Sequence, residues 1–286
     1  MPASGATQGK VTRLTPCING ATTMPYLLED DIRSAASAGF PLIELWAPKL
    51  PPYLAAHTLA DLRATLRANG LGVAALCPYG LRMFGAWREG LAGVERGVAA
   101  AAELGAPLLL VCPDAPPADL DRGEAVEIAA ERARTYGDVA QAAGVRLAIE
   151  PLGGHPFVPG AREAMEVLHR AAHPALGLMM DTFHYYKSRV SEEDIRGVPP
   201  GLWTILHVND VPPGAPEGLS DPDRLYPGEG VLPLADTLRY FAGIGFRGAV
   251  SVEVFRRAYW EQPAEEIARR AYAGVTGALR TAGAEG

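Results

Sequence analysis

The sequence is short of cysteine, of positive charge and of long apolar runs, and each shortage closes off a class of function. Three cysteines (Cys17, Cys77 and Cys112) in 286 residues are too few and too scattered for a disulfide framework or a cysteine-based zinc site. Acidic residues outnumber Lys and Arg by 33 to 26, a formal net charge of −7. Such a chain gains no general attraction to nucleic-acid phosphates or anionic membrane surfaces. No apolar run approaches the roughly 18 residues that would suggest a membrane span. The opening MPASGATQGK holds one Lys and no apolar stretch of the kind that marks a secretory signal. What is present is 48% hydrophobic, ordinary for a globular chain and enough to exclude wholesale disorder. The expectation is a cytoplasmic protein whose partner is a small molecule, with no nucleic acid and no membrane.

Short apolar runs rich in β-branched residues recur at 14–19, 42–46, 73–77, 108–111, 147–150, 176–181, 205–208 and 250–253, with successive starts 28 to 45 residues apart. That spacing is about one strand, one helix and two loops. The runs do not alternate polar with apolar, as suits parallel strands covered on both faces. Helical stretches are expected between them, over 29–38, 59–68, 91–104, 124–143, 161–169, 234–244 and 264–282. Several end at a glycine (Gly39, Gly70, Gly105, Gly144) where a left-handed cap is wanted. Only the connection after the sixth run lacks a clear helix, because 191–195 is short and Pro199-Pro200 follows. Eight such units predict a (β/α)8 TIM barrel forming a single domain over 14–286, preceded by a flexible N-terminal tail over 1–13. An open doubly wound sheet is the rival, but no Gly-rich phosphate turn follows the first run.

In a barrel, side chains at the C-terminal ends of the strands converge on one mouth. Four consecutive runs present chemistry-bearing residues to the same rim: Glu150, Asp181 and Glu253 at their ends, and His207 carried by the seventh. Any one of them has a plain explanation, a helix N-cap for a carboxylate or a satisfied core position for the histidine. Together, three carboxylates and an imidazole in a confined mouth would repel one another and suffer desolvation, and a divalent cation removes both costs. This donor set suits one divalent metal ion, Mn2+, Zn2+, Co2+ or Mg2+, without choosing among them. His184 and His155 lie in loops leaving the same strands. Arg224 sits in a long loop after the seventh run and either holds a polar substrate group or braces the loop. Trp46, Tyr79 and Trp260 are candidates for an apolar wall.

With these residues assembled, the chain resembles the xylose-isomerase-like TIM barrels of the sugar isomerase/epimerase and endonuclease IV superfamily, over about residues 17–274. Within it, the chain is most similar to the bacterial inosose (2-keto-myo-inositol) isomerases of inositol catabolism. The segments that carry the likeness are NGATT at 19–23, the strand end at Glu44, Glu150 through His155-Pro156, DTFH at 181–184, HVND at 207–210, the 223–230 loop and VSVEVFR at 250–256. The resemblance implies that Glu150, Asp181, His207 and Glu253 are metal ligands, that Glu150 and Glu253 also move the proton, and that His184 touches substrate oxygens. His155, Arg224 and Trp46 are expected to line the substrate pocket. Related ketose epimerases carry a glutamate six residues past the first ligand and an arginine six past the ligand histidine, where this chain has Pro156 and Pro213. That departure argues against a plain ketohexose epimerase. The expected activity is metal-dependent isomerisation of a keto-polyol through an enediolate. The alternatives are an inosose-type dehydratase on the same site or another ketose 3-epimerase. Abasic-site endonuclease activity would need a multi-metal cluster rich in histidine, and only six histidines are present. Barrels of this kind often pair, so a homo-oligomer is compatible with the chain.

Overall fold

Each of the eight expected runs becomes a strand, and each strand pairs in parallel with the next. The computed structural model describes residues 14–284, so the tail expected over 1–13 lies outside the described residues. The strands are β1 (Thr15–Asn19), β2 (Leu42–Trp46), β3 (Gly72–Leu81), β4 (Leu108–Pro113), β5 (Arg146–Ile149), β6 (Leu176–Asp181), β7 (Trp203–Val208) and β8 (Ala249–Val252). β8 pairs in parallel with β1, Thr15 opposite Ala249 and Ile18 opposite Val252, and closes the barrel. The (β/α)8 architecture is therefore present, with a helix or helices in every connection.

The pleat explains how the barrel is filled. Side chains alternate across a strand, so inward positions recur every second residue. Cys17, Ala75, Cys77, Leu110, Ala148, Met179, Ile205 and Ala249 pack together as one buried cluster. Two residues further along several of these strands the same alternation yields Asn19, Glu150, Asp181, His207 and Ser251, all buried and all polar. The barrel thus has an apolar floor and a polar upper layer. The outward faces of the strands join the inner faces of the helices in a second, larger core. In the closing helix Ala264–Ala282, Ile267, Ala271, Val275 and Leu279 recur every four residues and are each buried. A stripe of that period faces the barrel, each large apolar side chain contributing roughly 1.5–3 kcal/mol by leaving water.

Two departures from the expected elements have local causes. β3 runs on past Pro78 to Leu81 because its pairing with β4 shifts between Leu76 and Tyr79, and a proline without an N–H is tolerated at such a bulge. The connection after β6 is made of two short helices, Thr182–Lys187 and Glu192–Arg196, as the weak helical pattern there foretold. Among the described residues no helix is long and apolar enough to cross a membrane.

The helix Leu28–Ala38 and the turn Ala47–Lys49, which follow β1 and β2, are tied by a buried ion pair. Lys49 Nζ donates to both oxygens of Asp31, at 2.7 and 2.6 Å, and to the Thr23 carbonyl at 2.9 Å. Gly20 makes room for this junction, since a Cβ there would stand 3.0 Å from both Asp31 Oδ2 and Trp46 Cβ. Burial pushes the Asp31 carboxyl up to about 7 even with Lys49 beside it. Removing one partner of a buried pair strands the other charge, so Lys49→Met should cost about 3–5 kcal/mol near pH 8. The stranded carboxyl has a folded-state pKa above its unfolded value, so its penalty grows as pH rises and shrinks at pH 5, where it is protonated. Thermal denaturation at the two pH values reads both expectations, and equal losses at pH 5 and pH 8 would refute the charge argument.

Candidate active site

Glu150 and Glu253 follow immediately after β5 and β8, Asp181 ends β6, and His207 lies one residue from the end of β7. The sheet register sets Asp181 opposite His207 and His207 opposite Ser251, so these side chains enter the mouth at nearly one level. The four proposed ligands each offer an atom within 4.8 Å of the others, and all four are buried. His207 Nδ1 faces Glu253 Oε2 at 3.3 Å, Asp181 Oδ2 at 3.7 Å and Glu150 Oε1 at 4.0 Å.

Each carboxylate divides its two oxygens between the scaffold and the cluster. Asp181 Oδ1 caps the helix Thr182–Lys187, accepting from the backbone N–H of Phe183 at 2.7 Å and of His184 at 3.1 Å, while Oδ2 faces the cluster. The plain N-cap explanation and the functional one hold for the same side chain. Glu253 Oε1 accepts from Asn19 Nδ2 at 3.1 Å, leaving Oε2 toward His207. Glu150 Oε2 accepts from the Cys112 thiol at 3.3 Å, leaving Oε1 toward His184 and His207. Asn19, Cys112 and Asn209, which donates to Asp181 Oδ1 at 3.2 Å, are site residues that sequence reasoning did not single out for these roles.

Arg224 is 1% exposed although it comes from a loop. Its Nη1 donates to Asp181 Oδ2 at 2.5 Å and Glu253 Oε2 at 3.1 Å, and Asp221 accepts from its Nε and Nη2. The guanidinium lies between the rings of Phe183 and Phe255, 4.5 and 5.1 Å from their centroids. It braces the loop and offsets part of the cluster's negative charge. His184 Nδ1 accepts from the Gly153 N–H at 3.0 Å, and a Cβ at Gly153 would stand 2.8 Å from Lys187 Cβ and 3.0 Å from the His184 carbonyl oxygen. Its Nε2 is 3.1 Å from Arg224 Nη2 and 3.8 Å from Glu150 Oε1. Burial, with Arg224 adding to it, lowers His184 to about 4, so the ring is neutral and its single proton sits on Nε2, facing the mouth.

The other expected pocket residues are placed differently. His155 is half-buried and its Nδ1 accepts from the Phe157 and Val158 N–H groups of its own loop, at 3.2 and 3.0 Å; it is not drawn into the cluster. Trp46 stands at the rim with its ring edge-on to Phe255, 5.9 Å between centroids. Of the apolar wall expected from Trp46, Tyr79 and Trp260, Tyr79 is drawn elsewhere. Tyr79 packs against Gly97 on the outer helix Trp87–Leu104, and Trp260 donates to the Thr22 carbonyl at 3.0 Å.

The electrostatics of the cluster are those of a cation site. Burial and the neighbouring Glu253 push Glu150 up to about 8. Burial also opposes charge on Asp181, but Arg224 overcomes it and holds that carboxyl well below its ordinary range. Burial works against charge on His207, yet Glu44 and Glu253 outweigh it and raise the ring well above its ordinary value. His207 Nδ1 is buried with no hydrogen-bond partner. An orphaned ring nitrogen facing three carboxylate oxygens fits a divalent metal ion, the oxygen and imidazole donors matching such ions chemically.

The family model of the xylose isomerase-like TIM barrel matches residues 32–274. The chain belongs to that family. An inosose isomerase of Bacillus velezensis is 29% identical over 262 residues, covering 89% of this chain and 93% of that protein. The crystal structure of IOLI protein with a bound zinc atom superposes with a TM-score of 0.85 at 26% identity, over 93% of this chain and 98% of that one. A 3-dehydroshikimate dehydratase of Pseudomonas putida is 27% identical over 248 residues, 84% of this chain but only 38% of that longer protein. Most of the chain thus matches nearly the whole length of inosose isomerases, and most of it also matches part of a longer dehydratase.

Proposed function

We propose that this protein is a divalent-metal-dependent inosose isomerase that moves the ketone of 2-keto-myo-inositol to the neighbouring carbon, and that it acts in the cytoplasm. The observation that carries the reading is the buried Glu150, Asp181, His207 and Glu253 set, whose ligand atoms lie within 4.8 Å of one another. The near full-length likeness to inosose isomerases supports the substrate class. These four side chains would hold the ion, which supplies a Lewis acid and template for a ketone oxygen and its neighbouring hydroxyl.

The chain's own groups account for the proton movements. A glutamate, Glu150 or Glu253, removes the proton from the carbon that bears the hydroxyl next to the ketone, and the electron pair of that C–H bond forms the enediolate. The proton then returns to the former carbonyl carbon, and the proton of the neighbouring hydroxyl passes to the former carbonyl oxygen, so the product is an isomer and no redox cofactor is consumed. His184 presents Nε2–H to a substrate oxygen. Arg224 Nη2 lies 3.1 Å from that nitrogen and holds it beside the cluster. Trp46 and Phe255 offer an apolar edge to a ring's C–H face.

Proton NMR of the Zn2+- or Mn2+-loaded protein with 2-keto-myo-inositol in D2O tests the reading. Deuterium should enter the carbon beside the ketone as a second inosose appears. A conjugated dione absorbing in the ultraviolet would replace this reading by dehydration, the activity suggested by the partial likeness to the dehydratase. No exchange with any divalent ion would remove the substrate assignment.

A further inference from the structure

The polar layer of the barrel contains one carboxylate that the reaction does not use. Glu44, on β2, is fully buried. Its Oε2 accepts from His207 Nε2 at 2.8 Å and from Ser251 Oγ at 2.9 Å, and its Oε1 has no hydrogen-bond partner. Nothing in the packing of the lumen calls for a charge here. The amide oxygen of a glutamine could accept from the same two donors without the cost of burying a charge.

We propose that Glu44 is a positioning residue for metal binding: it holds the proton of His207 on Nε2 and thereby fixes Nδ1 as a lone-pair donor aimed at the Glu150, Asp181 and Glu253 oxygens. The inference rests on the reading that this cluster takes a divalent ion. Once an ion takes the place of the Nδ1 proton the imidazole keeps one N–H, and spending it on Glu44 leaves Nδ1 as the only nitrogen that can bind the ion. That nitrogen is the buried one without a partner, 3.3 to 4.0 Å from the three carboxylates. The Glu44 contact also fixes the ring plane, and its negative charge makes the imidazole a stronger donor. Ser251 steadies the carboxylate from the strand beside His207, since the two residues are register partners. Cys17 is no competitor as a donor or nucleophile, because burial pushes its thiol far above the ordinary range.

Zn2+ affinity, measured on the full chain by competition with a chromophoric chelator, tests the proposal, with the visible spectrum of the Co2+-loaded protein as a second readout. Glu44→Gln, whose amide oxygen can still accept from His207 and Ser251, should bind Zn2+ about 10- to 100-fold more weakly and shift the Co2+ bands. Unchanged affinity and spectrum in Glu44→Gln overturn the positioning role and leave the metal reading intact. A wild-type chain that takes up neither ion overturns the metal reading and this proposal with it. Should Glu44→Gln fail to fold, the wild-type chain still decides: with isotope-labelled histidine and NMR-active cadmium, the metal-coupled ring must show coupling at Nδ1 and a proton on Nε2. Coupling at Nε2 would refute the proposal.

Discussion

Stripped of divalent cations by a chelator, the protein should lose its isomerase activity by about a thousandfold or more, and Zn2+ or Mn2+ should restore it. Lewis-acid stabilisation of a developing oxyanion is worth several kcal/mol, and each 1.4 kcal/mol is about a factor of ten in rate. The same treatment should lower the melting temperature. An ion present at about a thousand times its Kd stabilises the fold by roughly 4 kcal/mol, on the order of 10 °C for a chain of this size. The pH dependence follows from Glu150, which burial and Glu253 push up to about 8 in the cation-free protein. Its folded-state pKa exceeds the unfolded value, so its contribution is fully present at low pH and is lost as pH rises through about 8. The cation-free protein should therefore melt lower at pH 9 than at pH 6, and the gap to the metal-loaded protein should widen over that interval. Metal binding at pH 7 should release protons, on the order of two, from Glu150 and His207. A melting temperature and rate indifferent to chelation would refute the assignment of the cluster as a metal site.

The strands and four of the site side chains are legible in sequence for one reason. Parallel strands buried on both faces read as bare apolar runs, and a polar residue at the end of such a run stands out. Glu150, Asp181, His207 and Glu253 all announce themselves this way. What is not legible is whatever depends on contacts across the barrel. Glu44 stands in the middle of the run at 42–46, its partner His207 is 163 positions away, and only closure of the barrel brings them together. Arg224 lies in a loop whose path no periodicity describes, so its two possible roles stay open until the structure buries it against Asp181 and Glu253. His155 looks like its neighbour His184, but local hydrogen bonding separates them. One ring accepts from its own loop, while the other accepts from Gly153 and keeps its second nitrogen toward the mouth. Tyr79 fails as a pocket residue because the shift in β3 register beyond Leu76 turns the ring outward onto Gly97.

The two glutamates should respond differently when their charge is removed. Glu150→Gln and Glu253→Gln are each expected to lower kcat by about three to four orders of magnitude, since each removes a carboxylate suited to proton transfer and weakens the cation site. Their effects on the fold should diverge. Glu150 meets only the weak thiol donor of Cys112 on one oxygen and carries a raised pKa. A neutral amide there relieves repulsion with Glu253, so the cation-free Glu150→Gln protein should melt no lower than the wild-type chain. Glu253 is held by donors on both sides, Asn19 on Oε1 and Arg224 on Oε2. Whichever way a glutamine is turned, its NH2 group faces one of those donors, and a buried donor facing a donor costs about 1–3 kcal/mol. Glu253→Gln should therefore lose stability together with activity, and Asn19→Asp should not rescue it, because it sets a new carboxylate beside the cluster. Thermal melts of the cation-free variants, alongside kcat and deuterium exchange in D2O, separate the two effects. A variant that keeps within tenfold of the wild-type rate excludes that glutamate from the proton transfer and leaves the other to carry it.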